Sequence, residues 1–318
     1  MTKVRMNFGL TKGGMGDNVA RLPALVKLLK AYPHVYPYIY VPDFFLEVAQ
    51  CALKPYDCMV KTYTSFVPDS PDGRLPAKDT DGGTHTTLHT HLTDMAFRTL
   101  LDEDPRTPSD RNYVQLDMSE TDISSFNLPE KYVVLTTGIT SKTREWPATE
   151  INKTAKWCVD QGLTPVFLGS RQAGEGSTKQ TKYIIIGHFS PDVDYSVGVD
   201  LVDKTTLMQA AKVMAGAVAV LGVDNGLIHL AACSQVPIIV GYTMVEPATR
   251  LPIRNDVMGW GCYQVLPEEN LACRFCQYHT NFKLEHDYRT CMYNTFDCCK
   301  QMTAEKFIGH LETILAIK

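Results

Sequence analysis

Residues 218–243 restrict the fold of this chain more than any other part of its sequence. They begin with a β-branched apolar run, break at Asp224-Asn225-Gly226, continue as a small-residue helical segment and return to an apolar run at 238–240. This order of strand, tight turn, helix and strand is typical of a βαβ unit in a parallel sheet. Ligands of such sheets bind beyond the carboxyl ends of the strands, where Asp224 is predicted to lie. The simpler interpretation is that Asp224 only caps the helix.

The length and composition of the chain limit its class. A chain of 318 residues is longer than one ordinary domain, so two domains are expected. A formal net charge of −4 gives no overall attraction to nucleic acid or to an anionic membrane, although a local basic groove is compatible with it. No apolar run approaches the roughly 20 residues of a membrane span, and the first residues lack the apolar core of a signal peptide. The sequence therefore predicts a cytoplasmic protein without a membrane span.

A polar stretch at 121–130 divides the predicted elements into two domains, 1–127 and 128–318. Because strands and helices alternate in the second domain, we expect an α/β fold with a mostly parallel sheet covered by helices on both faces. The first domain is predicted to contain strands at 4–10 and 38–41, joined by a helix whose first turn includes Pro23. The second domain is predicted to contain strands at 132–137, 164–169 and 183–187, helices at 149–161 and 205–215, the βαβ unit, and an amphipathic helix at 303–318.

A glycine loop precedes the first helix. Its glycines, Gly13, Gly14 and Gly16, would let a ligand approach the backbone closely. Gly14-x-Gly16, with Asp43 after the second strand, partly matches a dinucleotide-binding fingerprint, but the third small position is Val19, which is too large for close helix–strand packing. The fingerprint also leaves Asp17, at the start of the helix, without a role.

A second polar motif, GITSKTREWPATE, occupies residues 138–150. It follows the end of a predicted strand, contains Lys142 and Arg144, and leads into a helix after Trp146-Pro147. Cations and backbone donors at such a place suit a diphosphate group. The alternative is that Arg144 is an ordinary solvated charge on a loop.

Four features now occur in a recognisable order: GGMGDNVARLPAL, TSKTREWP, the helix at 205–215, and VDNGLIHLAA. Together they resemble the ADP-heptose:lipopolysaccharide heptosyltransferases, glycosyltransferase family 9. The resemblance covers most of the chain and is densest over residues 132–243. It implies a GT-B fold of two Rossmann-like domains, an N-terminal acceptor-binding domain and a C-terminal nucleotide-sugar-binding domain, whose parallel sheets face a central cleft.

The resemblance also implies roles for individual residues. Asp17 matches the general base that acts on the acceptor hydroxyl, Arg144 matches a catalytic cation that neutralises the donor diphosphate, and Asp224 matches a residue on the sugar. The other donor-binding positions that it implies are Thr140, Ser141, Lys142, Asn225, Gly226, Leu227, His229 and Thr243. Glycosyl transfer needs a base for the incoming hydroxyl and cations for the leaving diphosphate, which agrees with these roles.

The resemblance and the residues together predict a glycosyltransferase that moves a sugar from a nucleotide-sugar substrate to an acceptor hydroxyl. No carboxylate pair of the DxD type follows a predicted strand, which fits a reaction that needs no metal or other cofactor. Our hypothesis is an inverting transfer with Asp17 as the base. Residues 54–111 carry more acidic than basic side chains, which argues against a heavily phosphorylated acceptor and against duplex DNA. The expected acceptor is a glycan, with a hydroxylated base in modified phage DNA kept as a possibility. The oligomeric state is open.

Two alternative functions belong to different classes. The partial glycine fingerprint would suit an NAD(P)-dependent oxidoreductase of the Rossmann type, although this leaves TSKTREWP and VDNGLIHLAA without a role. A non-catalytic nucleotide-sugar-binding protein would keep the fold, but the presence of Asp17 and Arg144 speaks against it.

Five of the ten cysteines crowd the end of the chain. Cys273 and Cys276 have the spacing of a zinc knuckle, whereas the later cysteines, Cys291, Cys298 and Cys299, do not repeat it. Structural zinc held by Cys273, Cys276, Cys291 and Cys298, disulfides, and free thiols are three open alternatives. A structural role is favoured over a catalytic one.

Overall fold

A computed structural model describes residues 4–9, 14–33, 35–62, 91–101, 104, 106–138, 141–170, 192–278, 291 and 293–317. The chain forms two compact units. The first contains residues 1–120 and 252–260, and the second contains 121–251 and 261–318. The sequence places the domain boundary between 127 and 128 and does not predict that a short later segment returns to the first unit.

The described strands are β1 (Val4–Gly9), β2 (Val35–Val41), β3 (Met59–Thr62), β4 (Tyr132–Thr136), β5 (Thr164–Leu168), β6 (Val199–Asp200), β7 (Val220–Val223), β8 (Ile238–Gly241), β9 (Ile253–Arg254), β10 (Val257–Met258) and β11 (Cys262–Val265). The described α-helices are α1 (Met15–Ala31), α2 (Leu46–Leu53), α3 (Leu92–Leu101), α4 (Ala148–Asp160), α5 (Leu207–Ala215), α6 (Gly226–Ala231), α7 (Asp297–Lys300) and α8 (Ala304–Ile317). The strand predicted at 183–187 lies outside the described residues.

Each unit is organised around a parallel sheet. In the first unit β1, β2 and β3 pair in that order, and β9 and β10 form a separate antiparallel hairpin. In the second unit the strand order is β11-β8-β7-β4-β5-β6, and all neighbours in it are parallel. Every residue of β4, β7 and β8 is buried, as expected for strands covered by helices on both faces. The predicted α/β architecture is confirmed.

The last helix of the chain, α8, completes the core of the second unit. Phe307, Leu311 and Ile314 of its predicted apolar face are buried in that core. The Phe307 ring stacks on the ring of Trp146, with centroids 4.1 Å apart. Because Trp146 lies at the end of the polar motif between β4 and α4, this contact anchors the motif to the core.

The start of α1 differs from the prediction. The helix begins at Met15, so Gly16 lies inside it and Gly14 is its N-cap residue, while Gly13 lies outside the described residues. Pro23 is therefore in the middle of the helix and not in its first turn. A proline there has no N–H to donate to the carbonyl four residues earlier. The complete burial of Val19 and Leu22 shows that packing against the unit's core holds the helix together through this point.

Among the described residues, none of the helices combines the length and the apolar character that crossing a membrane requires.

The pairing of β4 with β7 depends on a glycine. A Cβ atom at Gly222 of β7 would overlap the hydroxyl of Thr136 on β4. We expect Gly222→Ala to lower the free energy of unfolding by about 1–3 kcal/mol, as overpacking in a tight core does. Denaturant unfolding measures this loss.

Gly309→Ala is the matched control, because a Cβ atom at this exposed position of α8 meets nothing within 4 Å. Alanine in a helix interior should raise stability there by about 0.5–1 kcal/mol. The prediction is contradicted if Gly222→Ala is as stable as wild type, because the Thr136 hydroxyl could then move aside without cost.

Candidate functional site

Three loops share one edge of the sheet in the second unit. Since β8, β7 and β4 are adjacent and parallel, their carboxyl ends lie at the same edge. The loops that follow them contain residues 137–147, 224–225 and 242–251. This is the edge at which open parallel sheets bind ligands, and it brings together the two motifs that the sequence singles out.

The side chain of Asn225 joins two of these loops. Its Oδ1 accepts a hydrogen bond from the Ile228 N–H at 3.1 Å, which caps α6. Its Nδ2 donates to Thr136 Oγ1 at 3.1 Å and to the Gly138 carbonyl at 3.2 Å. Both polar groups of Asn225 are thus engaged within the protein, and the residue fixes the end of β4 against the end of β7.

Asp224 lies beside Asn225 and is buried, with 5% of its surface exposed. Its Oδ2 is 3.3 Å from Arg144 Nη1, and its Oδ1 is 3.5 Å from His229 Nε2. The Arg144 side chain remains 19% exposed, so part of the guanidinium can reach a ligand. The structure therefore brings together three residues predicted for the donor site, Arg144, Asp224 and His229. The alternative interpretation, that Asp224 only caps the helix, does not hold, since the N-cap residue of α6 is Asn225.

The charge of Asp224 is held by its surroundings. Burial by itself raises the pKa of this carboxyl. The nearby Arg144 guanidinium, the hydrogen bond from His229 and the charge of Arg250 together outweigh that effect and hold its pKa far below the ordinary value. Asp224 is thus an anion enclosed by cations and a histidine, which makes the site electrostatically organised before any ligand enters.

The loop after β4 is braced from the loop after β8. The Thr243 hydroxyl donates to the Thr143 carbonyl at 2.7 Å, and the Thr143 hydroxyl donates to Met244 Sδ at 2.9 Å. Ser141 caps the short turn Lys142–Arg144, and its hydroxyl lies 2.7 Å from that of Thr143. Ser141 and Thr243, both predicted to bind the donor, are buried and serve within this framework. Thr140 lies outside the described residues.

Lys142 and the cysteine-rich tail meet on the other side of the same loop. Lys142 is exposed, and its Nζ lies 5.1 Å from the centre of the Phe296 ring. The Cys299 thiol donates to the Lys142 carbonyl at 3.5 Å. Cys273 and Cys276 form a small buried cluster with Met244 and Val245. The tail therefore contacts both the loop after β4, which carries Arg144, and the loop after β8.

None of the ten cysteines, all of which lie within the described residues, forms a disulfide bond. Burial raises the pKa of Cys273 and Cys276, the latter to about 12, and the charges of Cys298 and Cys291 raise both further. Of the four cysteines considered for zinc, Cys273 and Cys276 lie in one small buried cluster. In the part of the chain that the structure describes, however, no three His, Cys, Asp or Glu side chains are arranged to hold a metal ion. The predicted zinc site stays a prediction.

Asp17 belongs to the first unit and lies in the first turn of α1. Its Oδ2 accepts a hydrogen bond from the Gly14 N–H at 2.8 Å. The carboxylate thus closes the start of its own helix, and its negative charge also suits that end of the helix. The side chain is half-buried.

Sequence reasoning missed Arg250. It follows the short turn Pro247–Thr249 after β8, and its charge acts on Asp224. Thr137 was also missed; its Oγ1 is buried and has no hydrogen-bond partner among the described residues. The resemblance marks Thr243 in the same loop but does not mark Arg250, whose effect on Asp224 is seen only in the folded chain.

We expect Asp224→Asn to lower the free energy of unfolding at pH 7 by about 3 kcal/mol or more, because removing one partner leaves a buried charge uncompensated. The pKa of Asp224 is lowered by folding, so its stabilising contribution is fully present above the ordinary pKa of about 3.9 and is lost progressively as the pH falls from there toward the much lower folded-state pKa. The difference between wild type and variant should therefore begin to shrink below about pH 4. Urea unfolding at about pH 7, 5 and 2.5 measures it.

The control is Asp160→Asn, which breaks the exposed pair with Lys156 and should cost less than about 1 kcal/mol. If Asp224→Asn lowered the free energy of unfolding equally at all three pH values, the loss could not come from the charge of Asp224.

A family model described as glycosyltransferase family 9 (heptosyltransferase) matches residues 89–279, more than half of the chain. No curated protein sequence matches significantly.

Solved structures show the same fold. The dodecameric iron-containing glycosyltransferase TibC from enterotoxigenic E. coli H10407 is 17% identical, with a TM-score of 0.71 over 99% of this chain and 77% of that one. A family 9 glycosyl transferase from Veillonella parvula is 15% identical, with a TM-score of 0.64 over 100% and 98% of the two chains. The E. coli ADP-heptose lps heptosyltransferase II is 14% identical, with a TM-score of 0.61 over 98% of both. The family match and the shared fold agree, and the chain belongs to glycosyltransferase family 9, the heptosyltransferases, as a glycosyltransferase enzyme.

Proposed function

We propose that this enzyme transfers a sugar from a nucleotide-sugar donor to an acceptor hydroxyl in one inverting, metal-independent step. The observation that carries this proposal is the meeting of Arg144, Asp224 and His229 at the carboxyl edge of the second unit's sheet. A buried, charged cluster at the ligand-binding edge of a parallel sheet suits an anionic, hydroxyl-rich ligand.

At the donor end, Arg144 binds the diphosphate. A guanidinium offers paired N–H donors to phosphate oxygens and stays charged at any working pH. Asp224 holds this guanidinium in place and offers its remaining acceptor capacity to a sugar hydroxyl. Thr140, Ser141, Lys142, Asn225, Gly226, Leu227, His229 and Thr243 complete the proposed donor site. Within it, Ser141, Asn225 and Thr243 act by positioning the loops, since their polar groups bond within the protein.

At the acceptor end, Asp17 is the proposed base, and Gly14 and Gly16 belong to the helix start that carries it. In the step, the acceptor O–H bond breaks and its proton goes to Asp17. The acceptor oxygen bonds to the anomeric carbon as the bond from that carbon to the diphosphate breaks. The leaving diphosphate takes that electron pair, and Arg144 stabilises the added charge. A single displacement of this kind inverts the anomeric carbon.

The proposed acceptor is a glycan hydroxyl, and a hydroxylated base in modified phage DNA is tested beside it. Because TibC is described in complex with ADP-D-β-D-heptose, ADP-heptose is the first donor to test. A structural metal in the cysteine tail would lie outside this mechanism. TibC is described as iron-containing, so elemental analysis of the purified protein should cover both zinc and iron.

We expect thermal unfolding to shift upward with the correct nucleotide sugar and with its nucleoside diphosphate. A ligand present at 100 times its dissociation constant stabilises the folded state by about 2.7 kcal/mol. A panel of ADP-, UDP-, GDP- and CDP-sugars, with NAD and NADP as controls, measures this. Stabilisation by NAD or NADP alone would favour the oxidoreductase instead.

We expect Asp17→Asn to lower the rate of sugar transfer by roughly 10²- to 10⁴-fold, the usual contribution of a general base. The asparagine oxygen can still accept the Gly14 N–H, so the helix start and nucleotide binding should stay intact. Turnover with the best donor, and calorimetric binding of its nucleoside diphosphate, measure the two effects separately.

The matched control is Asp43→Asn. Asp43 is exposed in the same unit and is the acid that the oxidoreductase alternative would place on a ribose. This variant should transfer sugar as wild type does. Equal turnover by Asp17→Asn and wild type would remove Asp17 from the mechanism.

A further inference from the structure

Arg250 and Arg144 belong to different loops at the same edge of the sheet. Arg144 is in the loop after β4, and Arg250 is in the loop after β8. Its backbone N–H bonds to the Pro247 carbonyl at 2.8 Å, which closes the short turn after β8. Since β8 pairs with β7 throughout its length, the loop that contains this turn begins beside the residues that follow β7.

The group formed by Arg144, Arg250 and Asp224 contains two cations and one anion. The same loops also contain Lys142, Glu145 and Glu246. Arg144 and Arg250 both act on Asp224, so two guanidinium charges surround one carboxylate. Arg144 forms the ion pair at 3.3 Å, which offsets its charge locally. The net positive charge of these three residues is therefore equivalent to that of Arg250, which is paired with no carboxylate within 4 Å among the described residues.

Both arginines also have hydrogen bonds left to make. Arg144 Nε and Arg250 Nε are buried, and within the described parts of the chain neither has an acceptor. Buried donors without an acceptor are rare in folded proteins, and each calls for an explanation. Two guanidinium groups with unsatisfied donors are together complementary to an anion with several acceptor oxygens.

We propose that Arg250 is a second diphosphate-binding residue, which acts with Arg144 on the leaving group of the donor. This inference rests on the proposed function. The donor diphosphate gains negative charge as its bond to the sugar breaks. Asp224 pairs with Arg144, whereas no described carboxylate lies within 4 Å of Arg250, so the Arg250 guanidinium is proposed to meet this increase. Guanidinium groups preset at the point where charge develops stabilise a transition state with little reorganisation.

The experiment measures binding of inorganic pyrophosphate, ADP and AMP by calorimetry to wild type and to Arg250→Gln, Arg250→Lys and Arg144→Gln. Pyrophosphate makes the result independent of the nucleobase. We expect Arg250→Gln to weaken binding of pyrophosphate and ADP by roughly 10- to 100-fold, the usual effect of losing a charged hydrogen bond. AMP binding should fall by much less, and Arg250→Lys should recover part of the loss.

Lys156→Gln is the control for net charge. Lys156 is exposed on α4 and pairs with Asp160, near the end of that helix, so its removal should leave all three ligands unaffected. Unfolding temperatures of all variants show whether each is folded. If Arg250→Gln is not folded, the comparison of Arg250→Lys with wild type decides, since lysine keeps the charge but loses the paired donors.

The outcomes separate the inference from the function on which it rests. Wild-type binding of pyrophosphate and ADP by both folded Arg250 variants, together with a loss in Arg144→Gln, would overturn the role of Arg250 and leave the proposed function standing. If the wild type binds neither pyrophosphate nor any of ADP, UDP, GDP and CDP, the proposed function itself fails.

Discussion

The buried carboxylate of Asp224 is the group on which the rest of the site depends. A charge with 5% of its surface exposed is costly unless cations and donors surround it. Arg144, Arg250 and His229 do so, and their combined effect holds the pKa of Asp224 low despite its burial. The same arrangement fixes two guanidinium groups at one edge of the sheet. A single buried anion thus organises the cations that a diphosphate donor requires.

The neutral framework around this anion is equally specific. Asn225 uses its amide to connect β4, β7 and α6, and the contact with Thr136 is possible because Gly222 has no side chain. Thr243 and Met244 brace the loop that carries Arg144, and the cysteine-rich tail supports both loops from behind. Several motif residues therefore act through loop position. The polar groups of these residues are used within the protein, so fewer of the motif side chains remain to contact a ligand.

Sequence reasoning succeeded where the pattern of side chains and the local geometry agree. The predicted bounds of β5, α4 and α5 lie within two residues of those observed, because period and capping residues mark their ends. It failed at α1, where the glycines suggest a loop through Gly16 and Pro23 suggests the first turn, although both residues lie inside the helix. Burial of Val19 and Leu22 extends the helix through both, since tertiary packing outweighs local propensity. Arg250 was missed for a different reason, because its loop has no periodicity and the resemblance marks only Thr243 in it.

The sequence by itself determined the α/β class, the βαβ unit and the family, because alternating apolar runs and ordered motifs are local properties of the chain. The tertiary structure alone decided that Arg144 and Arg250 share one carboxylate, and that the polar groups of Asn225 and Thr243 bond within the protein. It also decided that residues 252–260 return to the first unit. These are contacts between residues far apart in the chain. Strand order and burial determine them, and neither can be read from spacing along the sequence.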